Sequence, residues 1–464
     1  MIKNIKSIGG WRGVRHGIKL PHTFTFCCIA FLLILPNAYM CLNYAVPIGG
    51  SYDKVEMFGE KNYDAGGLVL YKERYLTDAF MWLNDQDTEI EDPVDRPGFI
   101  SWWDYGFYEV AIGAHPTVAS NFQDGIPCAA NFQISENESE AIAVLIVRLC
   151  QADMVDGYLS DEVQTIFENA LGCCGGKGED LTNIIANPEE YALSYDTYIA
   201  PEYGNKQMKV TLENAMYHDA VDMIVDTLTL EQIVSMYAKV EDATGFSIRY
   251  YGVEGYDIQI FNVFNFLSDK GTYGYMTSED YFFNTVWVDV NGTEYTEEQI
   301  ESYGRYELEK MNPKPRTVKK DTFYNTMVYR AYKGGKDIEM PGYGLKHFYP
   351  KYISPYPYPG TQYPAVVILE YYAGAVVSGR VAHDNITLGN VAVVVYDELG
   401  VPHDFNVTNI MGEYSVVVPP GNVTLRAIVN ETISQDITIT VTEDEANRIG
   451  EYTKHVDIEI EVEE

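Results

Sequence analysis

SWWDYGFYEV, residues 101–110, sets two adjacent tryptophans beside an aspartate, a tyrosine and a glycine. Only five tryptophans occur in 464 residues, so placing two of them side by side calls for an explanation. Trp102 and Trp103 supply large apolar faces, and Asp104, when ionised, only accepts hydrogen bonds. A carboxylate walled in this way selects a partner that brings a donor, an alcohol being the natural one. A ligand without the hydroxyl leaves the acid unpaired, at a cost of about 1–3 kcal/mol. Gly106 permits a close backbone approach. The competing reading is an aromatic core cluster with a helix-capping aspartate.

The charge of the chain bounds what it meets. Net charge is −36, which argues against nucleic acid as a partner and for a well-solvated surface. The charge is unevenly spread. Residues 1–22 carry Lys3, Lys6, Arg12, Arg15 and Lys19 and no acid, whereas 23–47 contain no Asp, Glu, Lys or Arg around CCIAFLLILPNAYMCLNYAV. About 20 such residues suffice to cross a bilayer. A transmembrane helix at 23–47 is expected, kinked at Pro36, with the basic tail cytoplasmic and the bulk of the chain outside. A cleaved signal peptide is the alternative and predicts the same location. Cys128, Cys150, Cys173 and Cys174 lie in the exported part, where spacing sets no disulfide connectivity. The Cys-Cys pair precedes GGKG and reads as a turn; no metal site is assigned in this chain.

The expected fold class is α+β: the membrane helix, a mixed, mainly helical external domain over 48–348, a Pro/Tyr-rich linker at 349–365, and an antiparallel β-sandwich over 366–464. Ser135 and Glu138 form a capping-box pattern ahead of AIAVLIVRLC. Thr211 is placed to cap LENAMYHDAVDMIVDTL, and Thr229 with Gln232 to cap a helix that closes at Gly245. FSIRYYGV (246–253) reads as a strand. TFYNTMVYRAYKGG (322–335) reads as a helix with Phe323, Met327 and Ala331 on a core stripe. YPKYISPYPYPGTQYP (349–364) is expected to be an extended spacer. Beyond it, short β-rich runs at regular spacing predict the sandwich, whose last strand, HVDIEIEVEE, alternates apolar and acidic residues.

WWDYG (102–106) resembles the signature of the oligosaccharyltransferase catalytic-subunit family, in its archaeal AglB type. HPTVASNFQDGIPCAANFQISENESEA (115–141) looks like the family segment that follows it. SIRYYGVEG (247–255), TFYNTMVYRAYKG (322–334) and LKHFYP (345–350) resemble later landmarks, and EYYAGAVVSGRV (370–381) the start of an appended β domain. That domain is also similar to carboxypeptidase regulatory-like sandwiches, through GNVAVVVYDELG and GEYSVVVPPGNVTL. The resemblance covers about residues 48–450 and is densest at 101–141. It implies that Trp102, Trp103, Asp104, Tyr105 and Gly106 surround the Ser or Thr hydroxyl of an Asn-x-Ser/Thr acceptor. It further implies a lipid-linked oligosaccharide donor and a divalent metal, Mg or Mn, in the complete enzyme.

The family's catalytic carboxylates lie on loops of a multi-span membrane bundle that has no counterpart in this chain. Its Asp-x-x-Lys-x-x-x-Met/Ile motif is also missing, since DMVDGYLSDEVQTIF (153–167) supplies acids and no lysine. The expectation is therefore an acceptor-binding part, without catalytic residues of its own, that transfers glycan only with a separate multi-span half. The alternative is a single-pass envelope protein whose sandwich is structural or adhesive and which has no transferase role. Six sequons, at Asn137, Asn291, Asn385, Asn406, Asn422 and Asn430, fit an exported surface, with Asn137 the poorest because it falls in a helical first turn.

Overall fold

The run AIAVLIVRLC is apolar at every position but Arg148, so a helix made of it must be packed nearly all round. In the computed structural model that is what it does. The structure describes residues 75–194, 205–271, 281–334, 344–398, 400–429, 432–433, 436–447 and 453–460, together with residue 31. The basic tail and, but for residue 31, the apolar segment 23–47 lie outside the described residues. Among the described residues no helix is long and apolar enough to cross a membrane.

The chain runs through α1 (Tyr75–Asn84), β1 (Gly98–Ile100), a 3-10 turn (Trp103–Tyr105), α2 (Gly106–Ala111), α3 (Ile126–Ile134) and α4 (Glu138–Asp153). Next come α5 (Asp161–Gly172), α6 (Gly178–Ala186), α7 (Asn205–Thr227) and α8 (Leu230–Thr244). In α4, residues 141–147, Leu149 and Cys150 are all buried, enclosed by α3, α7 and α8. The capping box of Thr229 and Gln232 forms as expected, and Gly245 ends α8 at φ 71°.

Two other helix starts differ from the sequence reading. Ser135 does not cap α4; its hydroxyl donates to the Asn131 carbonyl at 2.8 Å and closes α3. The cap is Asn137, whose Oδ1 accepts the Glu140 N–H at 2.9 Å while its amide donates to the Glu140 carboxylate at 2.9 Å. The reciprocal pattern is present but two residues later, in Asn-Glu-Ser-Glu. Thr211 lies inside α7, which begins at Asn205, because Asn-Lys-Gln-Met-Lys-Val contains nothing that stops a helix.

β2 (Ile248–Glu254) follows, then α9 (Gly255–Gln259), α10 (Phe261–Leu267) and a small sheet of β3 (Phe283–Val288), β4 (Glu294–Tyr295) and β5 (Lys314–Lys319). The helix expected over 322–335 is two short ones, α11 (Asp321–Asn325) and α12 (Met327–Lys333). Thr326 is extended between them, and the freed Met327 N–H donates to the Ser135 carbonyl at 2.8 Å. Phe323, Met327 and Ala331 are buried, as their spacing predicts. The 349–364 stretch departs from a spacer: β6 (Phe348–Ile353) pairs antiparallel with β7 (Val366–Tyr371). β7 in turn pairs with β2, and β1 lies parallel to β2, giving the sheet order β1-β2-β7-β6. Alternating tyrosines and apolar residues favour a pleated strand despite the prolines.

The sandwich comprises β8 (Ala375–His383), β9 (Ile386–Thr387), β10 (Ala392–Tyr396), β11 (Pro402–Val407), β12 (Glu413–Val418), β13 (Gly421–Val429), β14 (Thr432–Ile433), β15 (Ile437–Val441), β16 (Thr453–His455) and β17 (Ile458–Glu459). One sheet runs β11-β10-β13-β14 with β15 also on β13; the other is built around β8. Its core is aliphatic, with Val377, Val393, Val395, Val416 and Leu425 at its centre. The sandwich is not purely antiparallel, since β16 and β17 pair parallel with β8. The expected single last strand is broken at Val456 and Asp457, where Asp457 accepts the Arg380 N–H at 2.8 Å.

LKHFYP joins these parts. The Glu138 carboxylate accepts the Lys346 N–H at 2.9 Å and the His347 N–H at 2.7 Å. Lys346 also reaches Asp404 at 2.7 Å, and the Leu345 carbonyl meets His403 Nδ1 at 2.6 Å, so the segment ties α4 to β11. Glu138→Gln keeps one acceptor oxygen and leaves one of the two N–H groups unpaired. A loss of about 1–3 kcal/mol is expected in denaturant unfolding, and a change under about 0.5 kcal/mol would contradict the assignment.

Candidate functional site

The turn at 102–106 begins where β1 ends. Trp102 is extended (φ −69°, ψ 139°), the next three residues make a single 3-10 turn, and Gly106 opens α2. The neighbouring parallel strand β2 ends in the same direction, at Glu254, and passes into α9. Two strand ends and two helix starts therefore lie side by side although 152 residues separate Tyr105 from Asp257.

Trp102 is 1% exposed, its ring 4.6 Å from that of Phe264 and 6.0 Å from that of Trp103. Trp103 and Asp104 are half-buried. Burial raises the Asp104 carboxyl above its ordinary range, and a hydrogen bond from the Trp102 side chain offsets part of that rise. Among the described residues no cation pairs with Asp104. Its backbone is held separately: the Asn121 amide donates to the Asp104 carbonyl at 3.0 Å and accepts the Phe107 N–H at 3.2 Å. The side chain takes a hydrogen bond from Trp102 and is otherwise turned to the half-exposed side.

Tyr105 points inward. Its hydroxyl lies 3.3 Å from Asp257 Oδ1, beside Glu254, whose carboxylate accepts the Tyr75 hydroxyl at 2.9 Å. Asp257 also accepts the Glu254 N–H at 2.8 Å. Burial, then the adjacent Glu254 charge, drives the Asp257 carboxyl well above its usual range. Burial raises the Tyr105 hydroxyl as well, with the Asp257 charge next in effect. Tyr105 is therefore an anchor of the turn and does not line its open side.

Gly106 is required by the protein itself. A Cβ there would stand 2.3 Å from the Ala119 carbonyl oxygen and 2.8 Å from Ser120 Cα. The close backbone approach expected at this glycine is made by residues 119–120. Outside the turn, Phe107, Val110 and Phe122 are exposed, with the two phenylalanine rings 5.1 Å apart.

Sequence reasoning passed over Ser101, Glu109, Asn121, Glu254 and Asp257. Ser101 and Glu109 stand inside the quoted stretch, yet nothing local marks Glu109 as buried; Asp257 reaches the turn only through strand pairing. The four cysteines in the described residues are free: Cys128 and Cys150 buried, Cys173 and Cys174 exposed in the expected turn. Among the described residues no three His, Cys, Asp or Glu side chains come together in a set that could hold a metal ion. The donor set for the divalent metal that the resemblance implies is thus not found in these residues.

Of the sequons, Asn137, Asn291, Asn385 and Asn422 are exposed and Asn406 half-buried; Asn430 lies outside the described residues. Thr408, the hydroxyl residue of the Asn406 sequon, is buried and donates to the Leu388 carbonyl at 2.8 Å. The Asn422 amide donates to Glu398 at 2.8 Å.

No protein-family model matches the chain. It is 39% identical over 61 residues to the dolichyl-monophosphooligosaccharide–protein glycotransferase AglB of Haloferax volcanii, a stretch amounting to 12% of this chain and 6% of that protein. It is similar in structure to AglB from Archaeoglobus fulgidus in complex with an inhibitory peptide and a dolichol-phosphate: TM-score 0.45, 14% identity, 99% of this chain and 49% of that one. The C-terminal domain of C. jejuni PglB is more distant, with TM-score 0.27 and 10% identity over 64% of this chain and 99% of that one. The chain spans about half the length of the Archaeoglobus protein.

Gly106→Ala is expected to destabilise the chain by about 1–3 kcal/mol and to shift its tryptophan emission, because backbone must move to admit the methyl. Unchanged stability and emission would refute the packing described. With the geometry in view, what this chain is similar to is the archaeal AglB-type oligosaccharyltransferase, in its C-terminal part.

Proposed function

We propose that this chain is the acceptor-binding part of an oligosaccharyltransferase acting in protein N-glycosylation, and that it reads the Ser or Thr of Asn-x-Ser/Thr. The observation that carries this is Asp104: a half-buried carboxylate beside two tryptophans, raised by desolvation and paired with no cation among the described residues. With one hydrogen bond already taken from Trp102, such a group has acceptor capacity left for a neutral hydroxyl and penalises a ligand that covers that capacity without a donor. The short sequence match to Haloferax AglB supports the same reading. Trp103, half-buried beside Asp104, supplies the apolar wall, while Trp102, Tyr105 and Gly106 shape the turn from below.

Transfer of glycan from a lipid-linked donor then falls to a separate multi-span half, which also supplies the carboxylates and the divalent metal. The segment 23–47 serves as the membrane anchor, with the basic tail cytoplasmic and residues from 48 onward outside the cell. The β-sandwich, similar in its motifs to carboxypeptidase regulatory-like domains, is an appended external module.

Titration of the chain with a fluorescent Asn-Ala-Thr peptide is expected to show saturable binding that Asp104→Ala weakens by about tenfold or more, consistent with loss of one hydrogen bond to a charged group. Equal binding of an Asn-Ala-Ala peptide would remove the proposal. Glycopeptide mapping of the chain from its native host is expected to find Asn291 or Asn385 filled and Asn137 bare, the amide of Asn137 being committed to Glu140. Occupied Asn137 with Asn291 and Asn385 empty would contradict this.

A further inference from the structure

Glu109 lies in α2 with no solvent exposure, seven residues beyond Trp102. Its Oε1 is in hydrogen-bond contact with the Ser101 hydroxyl, and its Oε2 has no hydrogen-bond partner. Two hydroxyls face this carboxyl, from Ser101 and from Thr117, and each has a backbone acceptor of its own. Ser101 lies 3.1 Å from the Trp102 carbonyl, and Thr117 donates to the Ala119 carbonyl at 2.6 Å. Each hydroxyl carries one proton, so neither satisfies both its carbonyl and the carboxyl. The proton count closes when the carboxyl brings its own: Glu109 donates to Ser101, and Ser101 donates to the Trp102 carbonyl. That carbonyl also accepts the Tyr105 N–H at 3.0 Å, the bond that closes the 3-10 turn.

Among the described residues no cation pairs with Glu109. α1 brings Phe80 against Tyr108 and Leu83 against Gly113. His115 turns its imidazole to the Gly113 carbonyl and to Asp87, and gives Glu109 only a backbone contact. Burial accordingly moves the Glu109 carboxyl up to about 8, with the Ser101 and Thr117 hydroxyls moderating the rise.

We propose that Glu109, as a neutral carboxylic acid, is a positioning residue that clasps the Trp102–Tyr105 turn through Ser101, so that ionising it loosens the site that presents Trp103 and Asp104. On ionisation Ser101 turns its proton to the carboxylate, the Trp102 carbonyl loses a donor, and a buried charge is left under the turn. This rests on the acceptor-binding reading for its consequence in peptide recognition, and on the geometry alone for its effect on the turn. Glu109 holds its proton in the folded chain at pH values where an unfolded glutamate, with its ordinary value of 4.5, has lost it. Its stabilising contribution is complete below about 4.5 and fades as pH rises through about 8.

The test is a pH titration of tryptophan emission on the full chain. Wild type is expected to show a transition with a midpoint near 8; Glu109→Gln, which keeps a donor to Ser101 and has no proton to lose, is expected to lack it. Binding of the Asn-Ala-Thr peptide by wild type is expected to weaken about tenfold across the transition, the loss of one hydrogen bond's worth of ordering, and that of Glu109→Gln to stay level. The same transition in Glu109→Gln, or no transition in wild type between pH 6.5 and 9.5, would overturn the proposal. If neither peptide binds, the acceptor reading fails, and the emission titration still decides whether Glu109 sets the turn.

Discussion

Trp102 buried against Phe264 is the contact on which the site depends. With its indole in the core, Trp102 marks the end of β1. The chain then makes a single 3-10 turn, enters α2 at Gly106, and brings Trp103 and Asp104 to the half-exposed side. Gly106 permits this because residues 119–120 occupy the space a side chain would need. Tyr105 and Asn121 then secure the turn from opposite sides, one through its hydroxyl to Asp257 and one through two backbone bonds. A rigid frame around one acid is how a desolvated group keeps its geometry without a charged partner.

The chain carries a large excess of acids, yet the ones beneath the turn are buried and clustered. Glu254 and Asp257 share donors from Tyr75, Tyr105 and a backbone N–H, and Glu109 is left one donor short. Like charges as close as those of Glu254 and Asp257 disfavour each other, and burial pushes the Asp257 carboxyl in the same direction. Asp257 and Glu109, whose carboxyls burial raises, serve as hydrogen-bonding groups beneath the turn, while Asp104 keeps a half-exposed position. The division of labour follows from depth: the acids below are fully enclosed, and Asp104 retains access to a ligand.

What was legible in the sequence was local or periodic. The Thr229–Gln232 box, Gly245, the β2 strand, the buried stripe of Phe323, Met327 and Ala331, and the buried run of α4 are all set within a few residues of themselves. Helix α4 shows the margin of such reasoning. The same acceptor–acid pattern occurs twice in Ser-Glu-Asn-Glu-Ser-Glu, and the copy that formed left Glu138 free to bind the 346–347 backbone. That Trp102, Trp103 and Asp104 stand together was legible from their adjacency in the chain. Their supports were not: Asp257 arrives by parallel pairing of strands far apart in sequence, and Glu109 is buried only because α1 and residues 114–120 close over α2. Proline and tyrosine at 349–364 suggested a spacer, whereas pairing with β7 made half of it a strand.

The central claim is that the Asp104 carboxylate recognises a hydroxyl, and a double-mutant cycle isolates that contact from every other effect of the substitutions. Affinities of wild type and Asp104→Asn would be measured for peptides carrying Asn-Ala-Thr and Asn-Ala-Val, which differ by a hydroxyl at nearly constant shape. The account predicts a coupling energy of at least about 1 kcal/mol between the two changes. Strict additivity, with the Val peptide losing as much on Asp104→Asn as the Thr peptide does, would contradict it.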